Sequence, residues 1–353
     1  MFWIQHSLGQ YPDSIRLNDI RFIASHNSYK LKPDPGIISF LQKFKKRLGE
    51  ELDPTRMDYG HVSLSEQFSE YEVRGVELDI YNDPKGGRFE KRRLNLFIPK
   101  LKQHSKDSMM LQPGFKMLHI ADVDYESNYR TLKEALTEIR NWSEAHPGHT
   151  PIFINLELKD ASPGDYSGFL RFLGFRKAIP FDSIAYRELD KDILSVFNRK
   201  ELMTPEGLKD SFPSIRERIN NIGWPALNDM LGKIVFILDG NGTEYKRASA
   251  EQLAFSYSDP ADPSTAFVIR NNPVGNEKEI KDLSKLYIVR TRTDVETMEA
   301  RNNDHTMLDA AIESQAQILS TDYYKADEKL SSYKVDLEKR KTVRSWPFIL
   351  RKK

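Results

Sequence analysis

Cysteine is absent from all 353 residues. That excludes disulfides, thiolate nucleophiles and thiolate-bound zinc. It leaves the compartment open, because a chain this long builds a core without staples. No apolar run approaches the ~18 residues that a bilayer-crossing helix needs. An excess of charge of one sign is lacking too: 53 Lys and Arg stand against 52 Asp and Glu, a net charge of +1. Such a chain has no global attraction for nucleic acid, so any membrane affinity must come from local patches. Met1-Phe2-Trp3-Ile4-Gln5-His6 lacks the basic-then-apolar layout of a signal peptide. The protein is expected either to stay inside the cell or to be numbered after a removed leader. No internal repeat of 20–50 residues is visible.

What is present is a series of eight candidate strands, at 21–25, 75–81, 116–120, 151–158, 233–239, 266–270, 286–291 and 316–321. Several are nearly continuous apolar runs, such as Ile234-Val235-Phe236-Ile237-Leu238. Parallel strands covered on both faces read this way. With helix-like stretches between them, they predict an α/β fold, a (β/α)8 TIM barrel. A doubly wound open sheet is the competing architecture. The barrel domain is expected over 20–330, after an N-terminal leader segment (1–19) and before a C-terminal tail (331–353).

Periodicity predicts a helix over 128–146, with Leu132, Ala135, Leu136, Ile139 and Trp142 on one face. His146-Pro147-Gly148-His149 ends it, and both histidines read as turn residues. Further helices are expected over 277–284, capped by Asn276, and over 295–312.

Two segments exceed a minimal barrel. Residues 36–48 carry Ile37, Ile38, Leu41, Phe44 and Leu48 on one stripe and Lys43, Lys45, Lys46 and Arg47 mostly on the other side. Placed after strand one, at the mouth, this helix is expected to lie on an anionic membrane or else simply to cover the barrel. Residues 333–353 hold eight Lys or Arg against two Asp or Glu, with Trp346, Phe348, Ile349 and Leu350 interleaved. A second interfacial contact or a solvated tail are the two readings. Residues 88–112 and 161–230 read as excursions of the same domain.

Chemistry concentrates at the ends of the first four strands. Strand one surfaces as Ser25-His26-Asn27-Ser28-Tyr29. His26 offers an imidazole for proton transfer, and Asn27 an oxygen of the kind hard cations accept. Glu77 and Asp79 are two apart on strand two, so both carboxylates face one way. Such like charges need a cation or proton between them. His119 sits in strand three; Glu157 closes the run Ile152-Phe153-Ile154-Asn155-Leu156, with Lys159 on its face. An all-oxygen set implies Ca2+ or Mg2+. Two imidazoles beside a hard cation suit attack on a phosphodiester, one taking a proton and one giving it.

With these residues in view, the chain resembles the phosphatidylinositol-specific phospholipase C superfamily over about residues 20–325. The likeness lies in Ser25-His26-Asn27-Ser28-Tyr29, Arg74-Gly75-Val76-Glu77-Leu78-Asp79, Leu118-His119 and Phe153-Ile154-Asn155-Leu156-Glu157. The acidic set matches the bacterial calcium-dependent branch, as do Gly223-Trp224-Pro225, Val289-Arg290-Thr291-Arg292-Thr293-Asp294 and Leu319-Ser320-Thr321-Asp322-Tyr323. The resemblance implies His26 as the general base at the inositol 2-hydroxyl and His119 as the acid at the diacylglycerol oxygen. It implies Ca2+ on Asn27, Glu77, Asp79 and Glu157, and inositol cyclic phosphate as product. Lys159, Arg290 and Arg292 are expected on physical grounds to meet the anionic head group. The partner is then a phosphoinositide at a membrane surface, the protein a monomer, and the setting extracytoplasmic, where Ca2+ is abundant.

Two other readings compete. Glycerophosphodiester phosphodiesterases also combine a barrel, two histidines and strand-borne carboxylates, but they expect His-Arg-Gly where this chain has His26-Asn27-Ser28. A catalytically inactive lipid-binding barrel would show an eroded site, and none of the set is missing.

Overall fold

The strands, in chain order, are β1 Ile20–Ser25, β2 Gly75–Asp83, β3 Gly114–Met117, β4 Ile152–Leu158, β5 Leu202–Met203, β6 Ile234–Asp239, β7 Ala254–Ser256, β8 Phe267–Ile269, β9 Ile288–Arg292, β10 Ile318–Thr321 and β11 Ile349–Leu350. They belong to a computed structural model that describes residues 11–48, 52–98, 100–101, 108–295, 297–337 and 349–350. The expectations placed on 1–10, on 99 and 102–107 of the basic excursion, and on 338–348 and 351–353 of the tail lie outside the described residues.

Parallel pairing runs β8, β9, β10, β1, β2, β4, β6, β7. A single parallel bridge between Tyr257 and Phe267 returns from the end of β7 to β8 and closes the ring. The result is the expected eight-stranded barrel, with β2, β4 and β6 buried almost throughout. Gly75 belongs where β1 and β2 converge: a Cβ there would lie 2.5 Å from that of Ala24.

Strand membership differs from the expectation in one respect. The run at 116–120 is not a barrel strand. Its start lies in β3, which pairs antiparallel with the far half of β2, Met117 opposite Ile80 and Gly114 opposite Asp83. β2 is nine residues long and its ladder with β1 ends at Val76, so its outer half needs another partner. The missing barrel strand is β7, only three residues long and not among the strands expected from the sequence.

The described part of the leader, 11–19, floors the barrel. Ile15 and Leu17 are buried with Trp224, Leu227 and Phe267, and Trp224 donates its indole N–H to Leu286 O at 2.8 Å. The helix expected over 128–146 spans Leu132–Ala145, started by a Thr131–Glu134 capping box. Asn276 precedes the helix Glu277–Leu283 but makes no side-chain cap. The helix expected over 295–312 is two, Met298–Asn302 and Thr306–Glu313, parted by Asn303 at φ 50°.

The helix Pro35–Leu48 forms as expected, but part of its apolar stripe packs inward, while Phe44 is exposed. Ile37 and Leu41 are buried with Leu94, Leu101, Leu170 and Phe175, in a small core of their own beside the mouth. β11 pairs antiparallel with Ile20 and Arg21, at the start of β1 and so at the end of the barrel away from His26.

Candidate active site

The mouth at the C-terminal ends of the strands gathers the polar residues. After Ser25 the chain turns sharply through Asn27 at φ 47°, a left-handed conformation that asparagine tolerates better than most residues. Ser28 N–H donates to Glu77 O at 2.9 Å, and Glu77 N–H donates back to Ser28 Oγ at 2.7 Å. This staple seats His26 and Asn27 beside β2.

Register does the rest. Glu77 stands level with Asn155, and Asp79 with Glu157, across β2 and β4. One oxygen each from Glu77, Asp79 and Glu157 lies within 4.8 Å of the others. Burial alone would raise all three carboxyls, but their neighbours divide them. Arg290, followed by His26 and Arg292, outweighs burial at Glu77 and holds it down at about 2. Asp79, buried and facing Glu157, is pushed well above the usual range despite Lys159. At Glu157 the Lys159 ammonium outweighs burial and lowers the carboxyl. Lys159 Nζ bridges the pair, 2.7 Å from Asp79 and 2.6 Å from Glu157.

These residues fit a hard divalent cation. The donors are oxygens, and buried Glu77 Oε1 accepts no hydrogen bond. The Asn27 amide is ambivalent. Turned one way its nitrogen donates to Asp79 at 3.0 and 3.2 Å; turned the other way its oxygen faces that carboxylate and its nitrogen donates to Tyr59 Oη at 2.6 Å. The second orientation adds an oxygen to the acidic cluster.

Each histidine has its own aspartate. His26 Nδ1 lies 2.7 Å from Asp322 Oδ1, while its Nε2 lies 3.3 Å from Glu77 Oε1. His119 Nδ1 lies 3.0 Å from Asp124 Oδ2. Burial lowers the His119 imidazole below its ordinary value, and Asp124 offsets this only in part. His119 is carried by the turn after β3, so the hairpin on β2, not a barrel strand, delivers it. Both imidazoles line a cleft of about 660 Å3 with Tyr59, Glu157, Lys159 and Tyr166.

Of the three cations expected at the head group, only Lys159 lines this cleft. Arg290 is buried beneath it, donating to Glu77 and to Ser320 Oγ at 3.1 Å. Arg292 stands behind His26 and donates to Asp322 Oδ2 at 3.2 Å.

Several residues escaped the sequence reading. Asp322 follows β10 within Ser320-Thr321-Asp322, a stretch noted only for its resemblance. Tyr59 stands between the histidines, its ring 6.2 Å from His26 and 6.5 Å from His119, centroid to centroid. Lys30 is fully buried, donating to Met57 O and Tyr59 O at 2.8 Å each and lying 3.5 Å from Asp124. Asp239, level with Glu157 across β6, is pushed up to about 6 by burial, Glu77 and Glu157. None of Asp124, Tyr59 and Lys30 falls in a recognisable motif; only the fold brings them to the histidines.

Comparison with known proteins bears on the fold and the family. Among solved structures, the calcium-dependent phosphoinositol-specific phospholipase C of a Pseudomonas species, with myoinositol, is 17% identical at TM-score 0.52; the match covers 88% of this chain and 91% of that one. A Ca2+-dependent phosphatidylinositol-specific phospholipase C from Streptomyces antibioticus is 15% identical at TM-score 0.50, over 88% and 96%. At these identities the likeness speaks for the fold. No curated protein sequence matches significantly. The profile described as "Phosphoinositide phospholipase C, Ca2+-dependent" matches residues 15–347, so the chain belongs to the calcium-dependent phosphoinositide phospholipase C family of phosphoric diester hydrolases.

Proposed function

We propose that this enzyme cleaves phosphatidylinositol by intramolecular transesterification, with His26 as general base and His119 as general acid. The observation that carries the reading is the pairing of each imidazole with its own carboxylate on one cleft, beside the acidic cluster. With its Nδ1–H donated to Asp322, His26 presents a basic Nε2 to the inositol 2-hydroxyl. The hydroxyl oxygen bonds to phosphorus, its proton passes to Nε2, and the bond from phosphorus to the diacylglycerol oxygen breaks. His119 gives that oxygen its proton. The products are diacylglycerol and inositol cyclic phosphate, and water entering by the reverse proton route would open the ring.

Asn27, Glu77, Asp79 and Glu157 would hold Ca2+, which when bound neutralises phosphate charge and eases deprotonation of the hydroxyl. Lys159, at the edge of the cluster, would bind a phosphate oxygen. Arg290 and Arg292 act through Glu77 and Asp322 in this reading. We read residues 20–330 as the catalytic unit, working as an extracytoplasmic monomer.

The test is cleavage of phosphatidylinositol vesicles, followed by 31P NMR with Ca2+ and with chelator. Calcium-dependent inositol cyclic phosphate that disappears in His26→Ala and His119→Ala is the expected result. Turnover of glycerophosphoinositol with phosphatidylinositol untouched would overturn it.

A further inference from the structure

The helix Pro35–Leu48, the 3-10 turn Arg93–Leu96 and the helix Gly168–Phe172 form one cap beside the cleft. Phenylalanine rings link the pieces. Phe44 lies 5.0 Å from Phe40, Phe40 lies 6.3 Å from Phe97, and Phe97 lies 6.4 Å from Phe175, centroid to centroid. Arg93 Nε donates to Leu173 O at 2.6 Å, which ties the turn to the third piece.

The cap has its own buried core, yet it also turns large apolar side chains outward. Phe172 is 86% exposed, Phe169 68% and Leu96 64%, with Phe44 and Phe97 part-exposed nearby. Single exposed apolar residues are ordinary, but five on one braced surface mark an interaction site. Charge says with what. Residues 35–48, 91–100 and 166–177 together hold eleven Lys or Arg and no Asp or Glu, in a chain whose totals nearly cancel. Lys43, Lys46, Lys91, Lys100 and Arg171 are exposed among them. Lys45, Arg92 and Arg176 meet carboxylates of neighbouring segments, in Asp53, Glu126 and Asp122, but aromatic side chains beside exposed lysines and an exposed arginine are the composition of an interfacial contact with anionic lipid. The cap also reaches the cleft. Met57 and Ile120 line both, and Tyr166 lines the cleft two residues before the Phe169 helix.

We propose that this cap docks the enzyme on an anionic bilayer, with Phe169 and Phe172 inserted at the interface and the cleft turned toward the lipid. The proposal rests on the reading that the substrate is a membrane phospholipid. It moves the main apolar contact from helix Pro35–Leu48, whose Ile37 and Leu41 are buried, to the excursion between β4 and β5.

Sedimentation with phosphatidylcholine vesicles, with and without phosphatidylserine, tests it on the full chain. Phe169→Ser with Phe172→Ser should weaken binding to the anionic vesicles by about 100-fold. Vesicle cleavage should fall with it, while turnover of monomeric short-chain phosphatidylinositol stays within about twofold, since a 1 kcal/mol change in the chemical step would already exceed that. Lys43→Glu with Lys46→Glu should weaken binding to anionic vesicles only. Unchanged binding in the Phe169/Phe172 variant overturns the proposal. So does loss of binding through charge alone, or wild-type affinity for a protein partner in place of vesicles. Wild-type chain that binds vesicles but cleaves no inositol phospholipid would sink the catalytic reading and leave the docking surface standing.

Discussion

Asp322 holds His26 through a contact of 2.7 Å at Nδ1, while Arg292 holds the other Asp322 oxygen at 3.2 Å. Arg292 also helps keep the Asp322 carboxyl far below its usual range, although burial alone would raise it and His26 contributes more. An ionised, braced aspartate fixes the tautomer of its histidine and stabilises the imidazolium once a proton arrives. Asp322→Asn keeps the shape and removes both effects. It should lower kcat by about 10^4-fold, the loss that the same substitution causes in a Ser-His-Asp triad, with KM little changed. A loss below about tenfold in steady-state kinetics, little more than 1 kcal/mol, would mean that Asp322 is merely structural.

Arg290 bears on stability through its buried pairing with Glu77. Glu77 is buried, and Arg290 is the foremost influence holding its carboxyl at about 2 against the ordinary 4.5. A folded-state value below the unfolded one stabilises above pH 4.5, and that gain disappears as pH falls toward 2. Arg290→Leu strips the partner from a buried carboxylate, a change that typically costs about 3–5 kcal/mol. In chelator its unfolding midpoint should drop sharply, and saturating Ca2+ should restore part of the loss. A midpoint indifferent to Ca2+ would detach Glu77 from the metal cluster.

In the proposed mechanism His119 can serve as the acid only while protonated. Burial lowers it below the ordinary 6.5, and Asp124 opposes that lowering. Activity should therefore decline on the alkaline side as His119 loses its proton, starting at a lower pH than an exposed histidine would impose. Asp124→Asn removes the opposing carboxylate and should move this limb further toward acid. The pH profile of kcat/KM for monomeric substrate reads the shift directly. An unmoved or alkaline-shifted limb would deny Asp124 its role.

Much of this site was legible because strand periodicity is local. Glu77 and Asp79 two apart, and Glu157 at the end of an apolar run, announce a shared face before any partner is known. β7 was not legible, because three residues give alternation no room to show. The run at 116–120 misled for the opposite reason: it looks like a buried strand, and β3 is well buried, but against the overhang of β2 rather than inside the ring. Asp322 and Tyr59 lie 296 and 33 residues from His26. Neither leaves a local pattern, so only barrel closure and the packing of the short helix Pro54–Met57 with the residues after it bring them in. The arginines at 290 and 292 carried the right charge, but their direction depends on the depth at which β9 meets the axis.

Lys159 offers the sharpest test of the cation site. Its Nζ lies between Asp79 and Glu157, where it partly compensates the carboxylates that a divalent ion would use. Two unit charges about 4 Å apart at an effective dielectric of ~20 interact by about 4 kcal/mol, and solvent at the cleft reduces this. A bound cation must therefore work against the ammonium or displace it toward substrate. Lys159→Met removes that opposition, so Ca2+ should bind about tenfold or more tightly, roughly 1.4 kcal/mol. Catalysis should nevertheless fall, because the cleft loses a cation that can meet phosphate. Titration calorimetry gives the first quantity and vesicle assays the second. Weaker Ca2+ binding in Lys159→Met would mean that the ammonium organises the cluster instead of competing for it.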